Sequence, residues 1–463
     1  MKIELVKRAL LLVWVAMLGG VAQLPLASAQ ATPPNAMPAP SAVLFRDVRV
    51  FDGRRAQLSG PVDVLVRGRI IERISTSAPI VAADPAASLT VIAGNGRTLM
   101  PGLIDNHWHT MMAATPLPLL LEGDVGYLNL LAAAQAEATL LRGFTTVRDL
   151  GGPAFALKRA IDEGLVVGPR VYPSGAMISI TGGHGDFRSR SELPRQIGGP
   201  LTHMELIGGS MVADSPDEVR LRAREQLLLG ASQIKLTAGG GVASPHSPLD
   251  ISTFDEDELR AAVRAAANWG TYVATHAYTP VAIQRAVASG VKVIEHGHLM
   301  DEASARAMAD NGVWLSFQPF IDDGHVPPLA PANLLRLREV WAGTERTVAL
   351  AKKYKLKMAF GTDILFSAAG AARQGEELVK MGRWYSAPEV LAMATATNAE
   401  LLKLSGPRDP YPGKLGVVEE GALADLLLVE GNPLQNLRLV EDPARNFVVI
   451  MKDGKVYKNL LAK

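Results

Sequence analysis

The chain of 463 residues contains no cysteine. This absence excludes disulfide scaffolds, thiolate metal sites and cysteine nucleophiles, so a metal ion would have to be held by nitrogen and oxygen atoms. An excess of either charge is also missing, because 47 Lys and Arg residues face 46 Asp and Glu residues, for a formal net charge of +1. A balanced chain offers no electrostatic reason to expect nucleic acid or an anionic membrane as a partner.

Hydrophobic residues make up 48% of the chain and charged residues 20%, which is the balance of a globular protein with a sizeable core. The length suits a large barrel with an accessory domain rather than one small domain. The 43 glycines and 30 prolines indicate many tight turns, as expected where strands and helices alternate.

The first residues have the pattern of a secretory signal peptide, predicted over residues 1–29. A basic start precedes an apolar run over residues 9–19 and a small-residue cleavage site that ends at Ala29. The run is shorter than the about 20 residues that a membrane span needs, which favours cleavage over a stable membrane anchor. We therefore expect export to the periplasm or the medium after cleavage near Ala29. Residues 30–42, rich in Pro and Ala, are expected to form a disordered tether.

Both ends of the remaining chain predict β-strands, over residues 43–98 and 415–463. Apolar runs alternate there with Gly and Asp turn signals, and Asp453-Gly454 between two such runs predicts a hairpin. Two β-rich ends around a different middle predict one small β-sandwich domain built from both chain ends.

The middle, residues 99–414, alternates strand-like and helical segments. Eight strands are predicted, over residues 99–105, 145–148, 171–174, 233–236, 272–276, 291–296, 313–318 and 358–363. Capping signals such as Ser215 with Glu218 open the helices between them. Eight such units predict an α/β fold, a parallel (β/α)₈ TIM-like barrel. An open doubly wound sheet is the alternative, but no Gly-x-Gly-x-x-Gly motif follows the first strand.

Candidate metal ligands lie at the ends of these strands, where the catalytic groups of such barrels are found. They are His107, His109, Lys235, His276, His296 and Asp363. Alternate residues of an extended segment point the same way, so His107 and His109 can reach one metal ion. Lys235 is unusual at the end of an apolar strand, because a buried ammonium is costly. A single His-x-His pair is weak support, and the inference depends on the joint placement of all six.

At these positions the sequence resembles the amidohydrolase superfamily along its whole mature length. Residues 99–109 are similar to the motif that opens the barrel, and residues 421–434 to the return into the small domain. Within the superfamily the chain looks most like prolidase-like carboxypeptidases and ochratoxin-hydrolysing amidases. The supporting stretches are residues 145–149, 181–186, 235–241, 276–278 and 295–297.

This resemblance implies a binuclear centre in which His107, His109 and Asp363 hold one zinc ion, and His276 and His296 hold the other. Lys235 would bridge both as N6-carboxylysine, formed by CO₂ on its amine, because two cations would repel a free ammonium. The same donors also suit Mn²⁺, Co²⁺ or Fe²⁺. The implied reaction is hydrolysis of a C–N bond by an activated water, with Asp363 passing a proton to the leaving amine.

Substrate-binding candidates are Tyr278, His184, Arg188, Arg190 and His298. The Tyr278 phenol would hydrogen-bond the scissile carbonyl or a substrate carboxylate, with packing on the next helix as the alternative. His184, in a Gly-rich loop, would either donate to substrate or hold that loop. The two arginines would clamp a carboxylate unless they are solvated. We interpret Arg148 and Asp149 as a structural ion pair.

The predicted function is that of a binuclear zinc carboxypeptidase or amidohydrolase. It would hydrolyse the C-terminal amide bond of dipeptides or N-acyl amino acids, with Pro or a hydrophobic residue at the C-terminus, including ochratoxin A to ochratoxin α and phenylalanine. The resemblance also implies a homo-oligomer, often an octamer. Two alternatives are a cyclic-amide hydrolase or deaminase of the same superfamily, and a metal-free binding barrel. Lys235 counts against a deaminase, and the presence of all six ligands against a scaffold.

Overall fold

The computed structural model describes residues 42–76, 89–325 and 329–462. The predicted signal peptide and all but the last residue of the predicted tether lie outside the described residues, and that last residue, Ala42, already begins a strand. Within the described ranges no helix combines the length and the apolar character needed to cross a membrane.

Strands and helices alternate through most of the described chain. The strands are β1 (Ala42–Val50), β2 (Pro61–Arg67), β3 (Ile70–Ser75), β4 (Leu89–Ala93), β5 (Thr98–Pro101), β6 (Leu103–Trp108), β7 (Phe144–Asp149), β8 (Arg170–Pro173), β9 (Met177–Ser179), β10 (Ser210–Val212), β11 (Ile234–Thr237), β12 (Val273–Ala277), β13 (Val293–His296), β14 (Trp314–Phe317), β15 (Met358–Phe360), β16 (Leu426–Val429), β17 (Phe447–Lys452) and β18 (Lys455–Asn459). The α-helices are α1 (Leu117–Glu122), α2 (Val125–Leu141), α3 (Phe155–Asp162), α4 (His203–Leu206), α5 (Pro216–Leu228), α6 (Glu256–Asn268), α7 (Pro280–Ala288), α8 (Glu302–Asp310), α9 (Pro331–Lys353), α10 (Ala368–Ala372), α11 (Gln374–Lys380), α12 (Ala387–Ala392), α13 (Asn398–Leu402) and α14 (Pro443–Asn446).

Both chain ends enter one eight-stranded sheet, in the order β18-β17-β16-β5-β1-β2-β3 with β4 beside β1. The hairpin predicted at Asp453-Gly454 joins β17 to β18, and both residues have positive φ angles of 54° and 72°. A two-residue turn with two positive φ angles matches the right-handed twist of its strands, which explains the Asp-Gly pair.

The barrel consists of eight parallel strands in two hydrogen-bonded groups, β6-β7-β8 and β11-β12-β13-β14-β15. Backbone hydrogen bonds connect the groups on both sides: Ser232 N–H donates to the Pro173 carbonyl at 2.8 Å, and Asp363 N–H to the His107 carbonyl at 2.7 Å. The predicted (β/α)₈ fold with a second β domain is thus confirmed. A short parallel pair, β9 and β10, adds to the edge of β11 and was not predicted.

The first predicted strand, over residues 99–105, is wrong in its extent. The structure divides it at Gly102 into β5, which pairs with β1 and β16, and β6, which pairs with β7. A Cβ atom at Gly102 would lie only 2.1 Å from Thr145 Oγ1, so this position requires glycine. The apolar pattern continues across Gly102 because the chain is buried on both sides while its partners change.

A buried ion pair joins the eight-stranded sheet to the barrel. Arg170 at the start of β8 donates to Asp425 at 2.8 Å, just before β16, and to Asp453 at 2.7 Å. Arg170 and Asp425 are both buried. The pair therefore holds the sheet of both chain ends against the end of the barrel opposite the predicted site.

Candidate active site

Three predicted ligands meet at the carboxyl ends of β6 and β15. Asp363 Oδ1 lies 3.0 Å from His109 Nε2 and 3.3 Å from His107 Nε2. One ligand atom from each residue lies within 4.8 Å of those of the other two. Both histidines are buried. The structure therefore brings one nitrogen from each histidine and one carboxylate oxygen to a common point.

The Nδ1 atoms of the two histidines lie on the side of each ring away from Asp363. His109 Nδ1–H donates to the Gly151 carbonyl at 3.2 Å, and His107 Nδ1 lies 2.9 Å from Glu295 Oε2. Burial lowers the pKa of His107 well below its ordinary value, so its ring is neutral. Asp363 Oδ1 lies within hydrogen-bond distance of His109 Nε2, so either a proton or a metal ion can lie between these two atoms. These N, N and O donors fit a divalent transition metal such as zinc.

The other three predicted ligands come from the neighbouring strands β11, β12 and β13. His276 Nε2–H donates to the Gly240 carbonyl at 2.7 Å, which leaves its Nδ1 with a free lone pair. His296 lies beside it, with ring centroids 4.5 Å apart, and its buried Nδ1 has no partner among the described residues. Lys235 is also buried, and burial lowers its pKa to about 8. The rings of His107 and His296, 5.0 Å apart, bring the two groups into one site.

Two of the predicted ligands have strained backbones. The φ angles of His296 and Asp363 are 77° and 52°, a left-handed conformation that costs a residue other than glycine about 1–3 kcal/mol. Asp363 is held in it by its N–H bond to the His107 carbonyl. Thr362, just before it, donates from both N–H and Oγ1–H to the buried Asp105, at 3.1 and 2.7 Å. Strain of this kind persists where the surroundings aim a side chain at a functional site.

Glu295 is a functional candidate that the sequence interpretation passed over. It is fully buried on β13, with Oε2 next to His107 Nδ1 and Oε1 accepting from Arg148 Nη2 at 2.7 Å. The interpretation of Arg148 and Asp149 as an ion pair was therefore wrong, because Arg148 points across the barrel to Glu295. A charged residue inside a strand whose every side chain is buried was the available signal. Carboxylates next to a ligand histidine favour one tautomer of its ring and raise its basicity.

Replacing Glu295 by glutamine is expected to weaken metal binding about 10- to 100-fold, because it removes the negative charge that lies 2.9 Å from His107 Nδ1. The affinity is measured by competition with a chelator, and the melting temperature is recorded in parallel. Glu302→Gln is the matched control, since Glu302 pairs with Lys353 on the surface. A Glu295→Gln protein that binds metal as tightly as wild type would contradict this role.

A cavity of about 670 Å³ opens onto the site. His184, His276, Tyr278 and Asp363 are among its lining residues. The His184 ring stacks on His276 with centroids 4.4 Å apart, and the Tyr278 ring stacks on His296 at 4.9 Å. A Cβ atom at Gly241 would lie 2.1 Å from His184 Nδ1, so glycine there lets the loop pack against this ring. The structure therefore places two of the predicted substrate residues at the open face of the ligand cluster.

The other predicted substrate residues are not among those that line this cavity. Arg188 is buried with its guanidinium on Asp186, and Nε donates to Oδ1 at 2.9 Å. His298 Nε2–H donates to the Gln318 carbonyl at 2.9 Å, and its ring stacks on Phe317 and Phe320. Arg190 is exposed. A part for these three in substrate binding stays a prediction.

Comparisons with known proteins show the family of the chain. Residues 98–460 match the profile of the amidohydrolase family. Ochratoxinase from Aspergillus niger is 30% identical over 386 residues, which are 78% of this chain and 75% of that protein. A solved amidohydrolase is 36% identical with a TM-score of 0.82, covering 91% of this chain and 100% of the other. A prolidase solved with N-methylphosphonate-L-proline is 33% identical with a TM-score of 0.82, over 90% and 100%. This chain belongs to the amidohydrolase family.

Proposed function

We propose that this hydrolase cleaves the C-terminal amide bond of N-acyl amino acids or dipeptides, with two zinc ions bridged by a carboxylated Lys235. The observation that carries the proposal is the meeting of ligand atoms from His107, His109 and Asp363 beside the buried Lys235, His276 and His296. The similarity to an ochratoxinase and a prolidase supports an amide whose leaving group is an amino acid.

The residues present fit two ions. His107, His109 and Asp363 would hold one, and His276 Nδ1 and His296 the other, with the lysine carbamate between them. When bound, such ions supply a nucleophilic water at neutral pH and polarise the scissile carbonyl.

Asp363 is the residue that we assign to proton transfer, because it belongs to the ligand cluster and also lines the cavity. It would take the proton of the nucleophilic water and return it to the leaving nitrogen. Tyr278 would orient the substrate from the cavity side. Burial raises the pKa of Tyr278 well above its ordinary value, so its phenol keeps its proton and remains a hydrogen-bond donor.

The free carboxylate of the substrate is expected to be recognised by Tyr278 and His184. Converting an N-acyl phenylalanine to its C-terminal amide should therefore cost about 2–4 kcal/mol in kcat/KM, the value of one to two charge-assisted hydrogen bonds. The test compares both substrates with the wild type and with Tyr278→Phe, in which the penalty for amidation should shrink. Equal kcat/KM for acid and amide would favour a general amidase or a cyclic-amide hydrolase instead.

Export and assembly are also proposed. The basic and apolar start of the chain supports cleavage near Ala29, which the N-terminal sequence of the secreted protein would test. Light scattering on the purified protein would test the proposed homo-oligomer.

A further inference from the structure

The cavity continues well beyond the ligand cluster. It runs between the segment after β14, helix α9 and the segment after β15, and apolar side chains form much of this part: Phe320, Ile321, Leu337, Trp341, Ile364 and Phe366. Its volume of about 670 Å³ lies within the ~300–1,000 Å³ of pockets that hold drug-sized ligands. The site therefore has room for a large apolar group on one side of the scissile bond.

The carboxylates along this wall are already paired. Lys380 Nζ lies 2.8 Å from Asp323 Oδ2 and 2.7 Å from Glu377 Oε1, and Arg373 adds a contact of 3.4 Å to Asp323. The remaining carboxylate among the described lining residues is Asp363, which belongs to the ligand cluster.

The pairing of these carboxylates affects which substrates can bind. The ammonium of a free dipeptide lies on the carbon next to the scissile carbonyl. That charge would enter a buried site beside histidines and metal-binding groups, with no unpaired carboxylate to receive it. An unpaired charge taken out of water carries a large desolvation penalty. An acyl group without an amine avoids the penalty and gains from the apolar wall.

We propose that this cavity takes the acyl half of an N-acyl amino acid whose acyl group is large, apolar and uncharged, in preference to the N-terminal half of a free dipeptide. The inference rests on the proposed amide hydrolysis and narrows its substrate class. Trp341 and Leu337 on α9 are its specificity-determining residues, and the Lys380 cluster keeps the wall closed to cationic groups.

A matched substrate pair tests the charge argument on the metal-loaded enzyme. N-(3-phenylpropanoyl)-phenylalanine and phenylalanyl-phenylalanine differ only by the α-ammonium. We expect kcat/KM to be at least about tenfold higher for the first, since an unpaired buried charge costs several kcal/mol. Equal or faster hydrolysis of the dipeptide would overturn the inference while leaving amide hydrolysis intact. Hydrolysis of neither substrate would overturn the proposed function itself, and with it this inference.

Variants of the wall test the apolar pocket. Trp341→Ala should lower kcat/KM for the phenylpropanoyl substrate about tenfold, the value of one lost aromatic contact, and leave N-acetyl-phenylalanine within about twofold. The control is Leu335→Ala on the same helix, because Leu335 is exposed and lies outside the cavity lining. An equal loss on both substrates would overturn the pocket assignment. Lys380→Met removes the ammonium that Asp323 and Glu377 share, and it should reduce the preference for the phenylpropanoyl substrate over the dipeptide at least about threefold. An unchanged preference would overturn the charge argument.

Discussion

Replacing Lys235 by alanine is expected to remove at least one metal ion per chain and to lower kcat at least about 10³-fold, or about 4 kcal/mol in the activation barrier. Lys235 lies on β11, between β9 and β12, and its side chain is buried beside the histidine cluster. Burial disfavours the ammonium form, and two divalent ions would repel it further. In the proposed centre, a carbamate on the same nitrogen would turn the side chain into an anionic oxygen ligand and would account for a lysine at this position.

The measurement is metal content by mass spectrometry together with kcat. Adding a small carboxylic acid such as acetate should restore part of the activity of Lys235→Ala, because the acid can fill the space left by the carbamate. Lys353→Ala is the control, since Lys353 is a surface residue paired with Glu302. A Lys235→Ala enzyme that keeps two ions and the full rate would show that no bridging ligand is needed.

Most of the fold could be predicted from the sequence because the barrel strands stand out as short apolar runs. Each of the eight predicted barrel strands has a counterpart in the structure, since each is a short apolar run between turn signals. The predictions that were wrong or missing concern short stretches of the chain. The break at Gly102 is invisible in an apolar run that stays buried while its partners change, and the edge pair β9 and β10 has only three residues per strand.

The candidate site followed from strand ends, since parallel barrel strands present their carboxyl ends at one face. The ion pairs between side chains did not follow from the positions of the strand ends. Arg148 stands next to Asp149 in sequence, yet successive residues of a strand point to opposite sides, and the guanidinium reaches Glu295 instead. The sequence likewise left open whether Arg188 faces substrate, and its pairing with Asp186 emerged only from the folded loop.

Replacing Asp363 by asparagine separates the two roles proposed for Asp363, as a metal ligand and as the general base. Asn tolerates the left-handed conformation about as well as Asp, so the φ of 52° should survive, and its amide oxygen keeps one ligand atom in place. The amide cannot accept the proton of the nucleophilic water. We therefore expect kcat to fall about 10²- to 10⁴-fold, the usual contribution of a general base, while KM changes little.

Asp363→Asn is measured at saturating zinc, with metal content determined in the same samples. Added zinc should fill the site without restoring the rate, because the missing step is proton transfer rather than metal binding. Asp363→Ala is the companion variant, and it should lose metal as well, since it also removes the oxygen that lies 3.0 Å from His109 Nε2. Wild-type kcat in the zinc-saturated asparagine variant would leave Asp363 as a ligand only, and the proton would then have to leave through another group that lines the cavity, of which Tyr278 and His184 lie against the ligand histidines.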